Sequence, residues 1–272
     1  MSEAATTDPE ALVTLASTAA RAGAAYVRTH RGPGRVEVAA TKSSPTDPVT
    51  EIDRATERVI REHLLGARPD DGFLGEEGGL EEGSSAVVWV VDPIDGTVNF
   101  VYGIPAYAVS IAARVDEVVE AACVLDVVRG EEFTATRGHG AFRRESPARG
   151  ARRLQAVPPP SAASALVGTG FNYVLEVRRR QAAAVGRLLE SVRDVRRTGS
   201  AALDLCGLAA GRLDAYVEQG LQPWDLAAGG LIAHEAGVEL AGLDGEPDER
   251  LTMAAPAAFA GEFFALVRAC GF

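Results

Sequence analysis

The amino-acid sequence predicts an α+β fold with an N-terminal α+β lobe and a C-terminal α/β lobe. Apolar, β-rich runs at residues 106–115, 118–128 and 131–135 are separated by acidic or glycine-containing turns, which is typical of antiparallel strands. Beyond residue 160, strand-like runs alternate with helical patterns, which favours an α/β lobe. With 272 residues and a hydrophobic fraction of 47%, the chain can bury a sizeable core.

The N-terminal segment predicts a capped helix followed by a polar loop. Asp8 and Pro9 precede an apolar stripe at helical spacing that extends to Tyr26. After the Gly-Pro-Gly break, residues 36–40 predict a short strand, and residues 41–48 form a polar loop that contains one lysine. Its composition fits an active-site flap and a solvated connector equally well.

A second capped helix follows this loop. Thr50 precedes apolar residues at i, i+3, i+4 and i+7 spacing, from Ile52 to Leu64. Asp53 lies in the first turn, where a carboxylate complements the helix dipole. The pattern alone therefore gives Asp53 a capping role.

Acidic residues follow two neighbouring apolar runs in the middle of the chain. Glu76 and Glu77 stand between glycines, while Asp92 and Asp95 come directly after the apolar run of residues 86–91. A strand that ends on Asp and turns at Pro and Gly can hold cations and a phosphate together. We expect both pairs to meet at one sheet edge, although a charged surface turn would also explain Glu76 and Glu77.

The segment 137–160, rich in Gly, Arg and Pro, predicts a semi-rigid connection between the lobes. We therefore expect one unit over residues 1–272, with an N-terminal lobe of about 1–157 and a C-terminal lobe of about 158–272. The predicted C-terminal elements are a strand at 165–168, helices at 174–192 and 200–210, a strand at 213–218, a helix at 222–237, and a final strand and helix within 251–272.

The helix predicted from residue 222 carries a further acid near its first turn. Asp225 follows the sequence Gln222-Pro223-Trp224. It could cap this helix, or it could bring a third carboxylate to the site from the other lobe.

Composition excludes several classes of function. The 27 Lys and Arg against 38 Asp and Glu give a net charge of −11, which disfavours a nucleic-acid partner. The sequence shows no signal peptide and no apolar run of membrane-spanning length, so we expect a cytoplasmic protein without a membrane partner. The three cysteines and four histidines form no zinc or redox spacing, so we expect buried structural thiols.

The clustered acids indicate a particular phosphatase chemistry. Mg²⁺ prefers hard oxygen ligands, which Glu76, Asp92, Asp95, Asp225 and a backbone carbonyl can supply. Phosphatases with an aspartyl nucleophile need two acids separated by one residue, whereas Asp92 and Asp95 are separated by two. Direct attack by metal-activated water is therefore favoured over a covalent phosphoenzyme.

Several motifs together resemble the inositol monophosphatase family. They occur over most of the chain and in the same order as in the family, so a match by chance is very improbable. The motifs are KSS (42–44), DPVTEID (47–53), GEE (75–77), DPIDGTVNF (92–100), GSAA (199–202), DAYVE (214–218) and WDLAAG (224–229).

This resemblance implies a layered α-β-α-β-α sandwich, assembled as a homodimer, with two or three Mg²⁺ ions between the lobes. It assigns Glu76, Asp92 and the Ile94 carbonyl to the first ion. It assigns Asp92, Asp95 and Asp225 to the second, with a third ion near Glu76.

The same resemblance implies a catalytic set of Glu76, Thr97 and Asp53. Thr97, oriented by Asp53, would polarise the attacking water, which replaces the capping role first given to Asp53. The Gly96 and Thr97 amides would hold the phosphate.

Substrate hydroxyls would contact Asp95, the Ala201 backbone and Glu218, because carboxylates accept hydroxyl protons well. We expect a small phosphorylated polyol, myo-inositol monophosphate first. An acid at position 218 disfavours a second phosphate, although Arg196 and Arg197 lie close by in sequence.

Three alternatives keep the same chemistry with another substrate: histidinol phosphate, fructose 1,6-bisphosphate or a 3′-phosphoadenosine nucleotide. A further alternative is a regulatory binding protein that retains the fold. The resemblance also implies sensitivity to lithium.

Overall fold

The computed structural model describes residues 7–41, 48–146 and 148–272, with the Pro48 side chain left out. The polar loop around Lys42, including the KSS motif and Asp47, lies outside these residues. Its predicted role as a flap therefore stays a prediction.

The described residues form seven α-helices and fifteen strands. The helices are α1 (Pro9–His30), α2 (Glu51–Ala67), α3 (Thr97–Tyr102), α4 (Leu175–Leu189), α5 (Ala201–Ala209), α6 (Pro223–Glu235) and α7 (Ala257–Ala269), with a 3-10 turn at Ala162–Ser164. The strands are β1 (Ala40–Thr41), β2 (Pro48–Val49), β3 (Gly72–Gly75), β4 (Gly79–Glu81), β5 (Val87–Asp95), β6 (Ala108–Val115), β7 (Val118–Asp126), β8 (Glu132–Thr136), β9 (Gly140–Arg144), β10 (Arg152–Arg153), β11 (Leu166–Thr169), β12 (Asp194–Arg196), β13 (Ala215–Glu218), β14 (Val238–Ala241) and β15 (Thr252–Pro256).

The strands form two large sheets. The larger sheet has eight strands in the order β10-β9-β8-β7-β6-β5-β3-β4, antiparallel except for the parallel pair β3 and β5. The smaller sheet has five strands in the order β12-β11-β13-β15-β14, with parallel pairs on one side of β13 and antiparallel pairs on the other. The predicted antiparallel series is confirmed as β6, β7 and β8.

Four apolar clusters stack the helices and sheets in layers. Helices α1 and α2 pack on one face of the larger sheet, around the fully buried Trp89. Helices α5 and α6 lie between the two sheets, contacting the larger one through Cys206 and Ile232 and the smaller one through Leu205 and Ala233. Helices α4 and α7 cover the outer face of the smaller sheet. The expected α-β-α-β-α sandwich is therefore confirmed.

The first two helices begin where the sequence predicts. Asp8 caps α1 by accepting a hydrogen bond from the Glu10 amide, with Pro9 in the first turn. Thr50 and Asp53 form a reciprocal capping box at the start of α2. Local side-chain chemistry thus determines both starts.

Two predicted features differ from the structure. The segment expected to be a connection contains β9 and β10, which extend the edge of the larger sheet. Its Gly and Arg residues are compatible with strands because β9 is partly exposed and β10 is exposed. Of the strand predicted at 36–40, only residue 40 is in a strand, as the first residue of β1. The larger sheet ends at Arg153 and the smaller begins at Leu166, so a lobe boundary near residue 157 stays a prediction.

A bilayer-spanning helix would need a longer apolar stretch than any helix in the described part of the chain provides.

Candidate active site

A cavity of about 550 Å³ lies between the end of β5 in the larger sheet and the segments that follow β11 and β13 in the smaller sheet. It is lined by every predicted site residue except Asp53, which is fully buried behind it. The predicted residues in the lining are Glu76, Asp92, Ile94, Asp95, Gly96, Thr97, Ala201, Glu218 and Asp225.

A bulge in β5 aims two acids at this cavity. Asp92 is paired with Ser110 and Asp95 with Ala108, so β5 advances three residues while β6 advances two. In a regular strand, residues three apart point to opposite faces. The one extra residue turns both carboxylates to the same side.

A third carboxylate comes from the start of α6. Gln222 is the N-cap of this helix. The backbone N–H of Gln222 donates a hydrogen bond of 2.7 Å to Asp225 Oδ2. Asp225 is thus the third helical residue and belongs to a capping box, rather than being the cap itself. Carboxylate oxygens of Asp92, Asp95 and Asp225 all lie within 4.8 Å of one another.

Glu76 completes what we call the carboxylate cluster: Glu76, Asp92, Asp95 and Asp225. Strand β3 runs parallel to β5 with Gly75 opposite Val91, and the Glu76 amide donates to the Val91 carbonyl at 3.1 Å. This pairing places Glu76 at the same sheet edge as Asp92, as predicted from the chain order.

The electrostatics of this cluster favour the binding of a cation. Burial raises the pKa of Asp92 well above its usual value, and the charges of neighbouring acids, Glu76 first, raise it further. Burial likewise raises the pKa of Asp225, again with Glu76 as the largest charge contribution. Four acids of like charge, of which Asp92 and Asp95 are buried while Glu76 and Asp225 are partly exposed, supply hard oxygen ligands. This donor set fits Mg²⁺.

Backbone groups in the bulge hold the same cluster. The Ile94 amide donates a hydrogen bond of 2.9 Å to Asp92 Oδ1, which fixes that carboxylate. The Ile94 carbonyl accepts a hydrogen bond of 3.1 Å from the Thr97 hydroxyl. Both groups line the cavity beside the acids.

Thr97 also contacts Asp53 on α2. Its hydroxyl lies 3.3 Å from Asp53 Oδ1, while Asp53 Oδ2 accepts hydrogen bonds from the amide and hydroxyl of Thr50. Burial raises the pKa of Asp53 to about 6, against the lowering effect of the Thr50 hydrogen bonds. Asp53 therefore both caps α2 and contacts a cavity residue.

Gly96 makes the turn from β5 into α3 possible. Its φ of 99° lies in the left-handed region, and a Cβ there would stand 3.0 Å from the Ala106 carbonyl oxygen. The turn places Gly96 and Thr97, the residues at the start of α3, in the cavity lining with Asp95.

The start of α5 holds Asp95 from the opposite side. Asp95 Oδ2 accepts hydrogen bonds from the Ser200 hydroxyl and, at 2.8 Å, from the Ala202 backbone amide. Ala201 lines the cavity between them.

The far side of the cavity is a mixed-charge wall, defined by Arg197, Asp204 and Glu218. Tyr216 donates its hydroxyl proton to Glu218, and burial raises the pKa of Glu218 to about 7. Thr198 donates to Asp204 at 2.6 Å, and burial raises the pKa of Asp204 to about 8. The positive charge of Arg197 lowers the pKa of both acids.

Sequence reasoning did not identify Asp204 as a cavity residue. It occupies one position in an alanine-rich helix, and a single acid in such a helix carries no local signal. Its pairing with Thr198 across the start of α5 would have been detectable only once the cap at Ser200 was recognised.

A larger groove of about 1190 Å³ runs along α6 and the β6–β7 turn. It shares Leu221 and Gln222 with the cavity, but none of the described residues lining it is a predicted site residue. The chemistry described above therefore belongs to the smaller cavity.

Comparisons with known proteins agree with this geometry. A sequence profile of the inositol monophosphatase family matches residues 8–270. The chain is 49% identical over 247 residues to an inositol-1-monophosphatase SuhB of Mycobacterium tuberculosis, covering 86% of this chain and 84% of that protein. The solved structure of Mycobacterium tuberculosis SuhB has a TM-score of 0.83 at 43% identity, covering 98% of this chain and 99% of that one.

A relative with a different name is also similar. A Nus factor SuhB of Pseudomonas aeruginosa is 44% identical over 210 residues, covering 74% of each chain. Both names therefore occur among proteins that are more than 40% identical to this chain. The chain is a phosphatase enzyme and belongs to the inositol monophosphatase family.

Proposed function

We propose that the protein hydrolyses myo-inositol monophosphate to inositol and phosphate, with Mg²⁺ as the cofactor and water as the direct nucleophile. The observation that carries the proposal is the meeting of the carboxylate cluster and the mixed-charge wall in one cavity. One side supplies ligands for cations, and the other supplies acceptors for the hydroxyls of a polyol.

The cluster would hold two ions, with a third near Glu76. Glu76, Asp92 and the Ile94 carbonyl would bind the first, and Asp92, Asp95 and Asp225 the second. Carboxylate oxygens of Asp92, Asp95 and Asp225 lie within 4.8 Å of one another, which supports the second of these two sites. Bound Mg²⁺ neutralises the charge of the phosphate and makes a nucleophile available at neutral pH.

Thr97 would orient the attacking water. Its hydroxyl donates to Asp53 Oδ1 or to the Ile94 carbonyl, which leaves the Oγ1 lone pairs to accept a hydrogen bond from the water. The amides of Gly96 and Thr97 begin α3 and would donate to the phosphate oxygens.

The polyol would lie against the mixed-charge wall. Asp95, the Ala201 backbone and Glu218 would contact its hydroxyls, and Asp95 is already fixed by Ser200 and Ala202. A neutral polyol suits this wall because its acids accept hydroxyl protons and its single cation balances part of their charge.

A substrate panel tests the proposal. Phosphate release is measured with myo-inositol 1-phosphate, histidinol phosphate, fructose 1,6-bisphosphate and a 3′-phosphoadenosine nucleotide, each with Mg²⁺ and with a chelator. We expect the highest kcat/KM for the inositol ester and loss of activity with the chelator. A much higher kcat/KM for another ester would reject the inositol substrate, and full activity with the chelator would reject the metal.

A regulatory function is the second candidate, because a relative of 44% identity is called a Nus factor SuhB. A strain that lacks the protein can be complemented with Asp95→Asn, a variant designed to be inactive. Failure to complement supports the enzyme alone, and full complementation supports a role independent of hydrolysis. The expectation of no nucleic-acid partner stays a prediction.

We also propose a cytoplasmic homodimer that lithium inhibits, on the strength of the family resemblance. Light scattering coupled to gel filtration would measure the mass against the 28.4 kDa of one chain. Inhibition by LiCl at fixed ionic strength, with NaCl as control, would test the second point.

A further inference from the structure

Helix α2 carries a second buried acid, four residues after Asp53. Glu57 is 7% exposed, and its position one turn further along places it on the same face of the helix. Asp53 contacts Thr97 in the cavity floor. Glu57 instead contacts the turn between β3 and β4, which carries Glu76.

The Glu57 carboxylate accepts hydrogen bonds from the amides of this turn. The Glu77 amide donates to Oε2 at 2.9 Å, and the Gly78 amide donates to the same carboxylate. Two amides on one carboxylate fix both its orientation and that of the turn.

The glycines of the turn leave room for this contact. A Cβ at Gly78 would stand 2.9 Å from Glu57 Oε1, and a Cβ at Gly75 would overlap the Glu57 carboxylate and the Phe73 ring. Glycine at both positions allows the acid to approach the backbone closely. Glu76 lies between Gly75, which the Glu57 carboxylate approaches closely, and Glu77, whose amide donates to that carboxylate. Glu57 therefore contacts the backbone on both sides of Glu76.

We propose that Glu57 is a positioning residue for the metal centre, which acts by holding residues 75–78 so that Glu76 presents its carboxylate to the cation. The inference rests on the proposed function, because it assumes that Glu76 binds metal. Residues that orient metal ligands are worth about 10- to 100-fold in metal affinity.

The test compares Glu57→Gln with a matched control elsewhere in the chain. Glu235 on α6 also holds a glycine turn, accepting from the Gly138 and Gly140 amides at 2.8 Å each. This turn joins β8 to β9, away from the cavity. In both variants the NH2 group of the new Gln side chain, a donor, replaces one carboxylate oxygen, an acceptor. One backbone N–H group of each turn therefore loses its partner.

Mg²⁺ affinity is measured by calorimetry and Mn²⁺ binding by electron paramagnetic resonance, together with the thermal midpoint and kcat at saturating Mg²⁺. We expect Glu57→Gln to weaken metal binding by about tenfold or more. Its kcat at saturating Mg²⁺ should stay within about threefold of wild type, because excess metal restores the occupied site. Glu235→Gln should lower the thermal midpoint by a similar amount and leave metal affinity unchanged.

Wild-type affinity in a folded Glu57→Gln variant would overturn the inference, as would equal losses of affinity in the two variants. If Glu57→Gln does not fold, Gly78→Ala decides, since its Cβ displaces the same carboxylate while Glu57 is kept. Weaker metal binding then supports the inference, and unchanged binding overturns it. If the wild type binds no Mg²⁺, the proposed metal site itself fails, which is a distinct result.

Discussion

The two sides of the cavity contain acids in different electrostatic settings. In the carboxylate cluster, the charges that most affect Asp92 and Asp225 are those of other acids, and they raise the pKa of each. In the mixed-charge wall, Glu218 and Asp204 each accept a hydrogen bond from a hydroxyl group, and Arg197 lowers the pKa of both acids. The charges of Glu218 and Asp95 act on Asp204 more strongly than Arg197 does and raise its pKa.

This difference indicates what each side lacks. The cluster gains most from a cation that enters from solution, since the described residues provide it mainly with like charges. The wall is already balanced in part by the protein and offers acceptors to neutral hydroxyls. The predictions below separate the two sides, because they assign metal dependence to one and substrate affinity to the other.

The largest effect is expected for Asp95→Asn in the cluster. We expect kcat/KM to fall by about 100- to 1000-fold, since one charged group that stabilises the transition state is lost. Folding should be maintained, because the hydrogen bonds from Ser200 and Ala202 go to one oxygen of Asp95, which the amide retains. The exposed Asp244 serves as the control through Asp244→Asn. Wild-type turnover in Asp95→Asn would remove the cluster from the mechanism.

Mg²⁺ should stabilise the protein through the cluster. At a concentration of about 100 times its Kd, a ligand adds about 2.7 kcal/mol to the free energy of unfolding. Differential scanning calorimetry at pH 8 with and without Mg²⁺ measures this difference. Equal thermal midpoints would mean that the folded cluster binds no metal.

The wall should add to the pH sensitivity of the metal-free protein, to which Asp92 and Asp225 of the cluster also contribute through their raised pKa values. The pKa values of Glu218 and Asp204 are raised to about 7 and about 8 by burial, above the usual 4.5 and 3.8. The folded state therefore binds protons that the unfolded state has already released, so stability falls as pH rises through 7 and 8. Thermal midpoints at pH 6 and pH 9 check this, and Asp204→Asn should reduce the slope. A midpoint that rises with pH would contradict the assignment.

Glu218→Gln should change substrate affinity more than turnover. We expect KM for inositol monophosphate to rise by about tenfold, since a hydrogen bond to a charged group is worth about 1.5 kcal/mol or more. The turnover number should change less than KM, because the proposed role of Glu218 is to contact the hydroxyls of the substrate rather than to hold a cation. Glu239→Gln, an exposed change in the larger groove, is the control. A selective fall in kcat would place Glu218 in the chemical step.

The smallest effect is expected for Arg197→Gln. Arg197 is exposed, so solvent screens its charge, and we expect KM to rise by only about threefold. Its loss should also raise the pKa of Glu218, which moves the pH dependence of KM upward. Arg196→Gln removes a neighbouring cation that pairs with Asp194 and should have no effect. Equal effects of the two changes would show that general charge, rather than the wall, is being measured.

The parts of the fold that sequence could predict have local causes. The starts of α1 and α2 depend on Asp8 and on Thr50 with Asp53, all within four residues of the helices they cap. Strands β9 and β10 could not be predicted in this way. Their Gly and Arg residues have no strand signal of their own, and β8 supplies the pairing that extends them from the sheet.

The site shows the same division. Glu76 follows β3, and Asp92 and Asp95 lie at the end of β5, which pairs directly with β3, so the order of these acids in the chain was enough to expect them together. Asp225 was recognisable by resemblance, but its position in a capping box was not. Asp204 and Glu57 have no motif, and only the packing of helices against turns reveals what they hold.

The extra residue in β5 also determines what kind of change the enzyme tolerates. Deleting Ile94 would let β5 and β6 pair without interruption, and it would remove the amide that fixes Asp92 and the carbonyl that accepts a hydrogen bond from Thr97. Such a chain would keep every acid of the site in its composition and an undisturbed ladder, yet it would lack the backbone groups that orient Asp92 and Thr97. Activity therefore depends on the residue count of one strand as much as on the identity of its acids, so an insertion or deletion there is a more severe change than many substitutions.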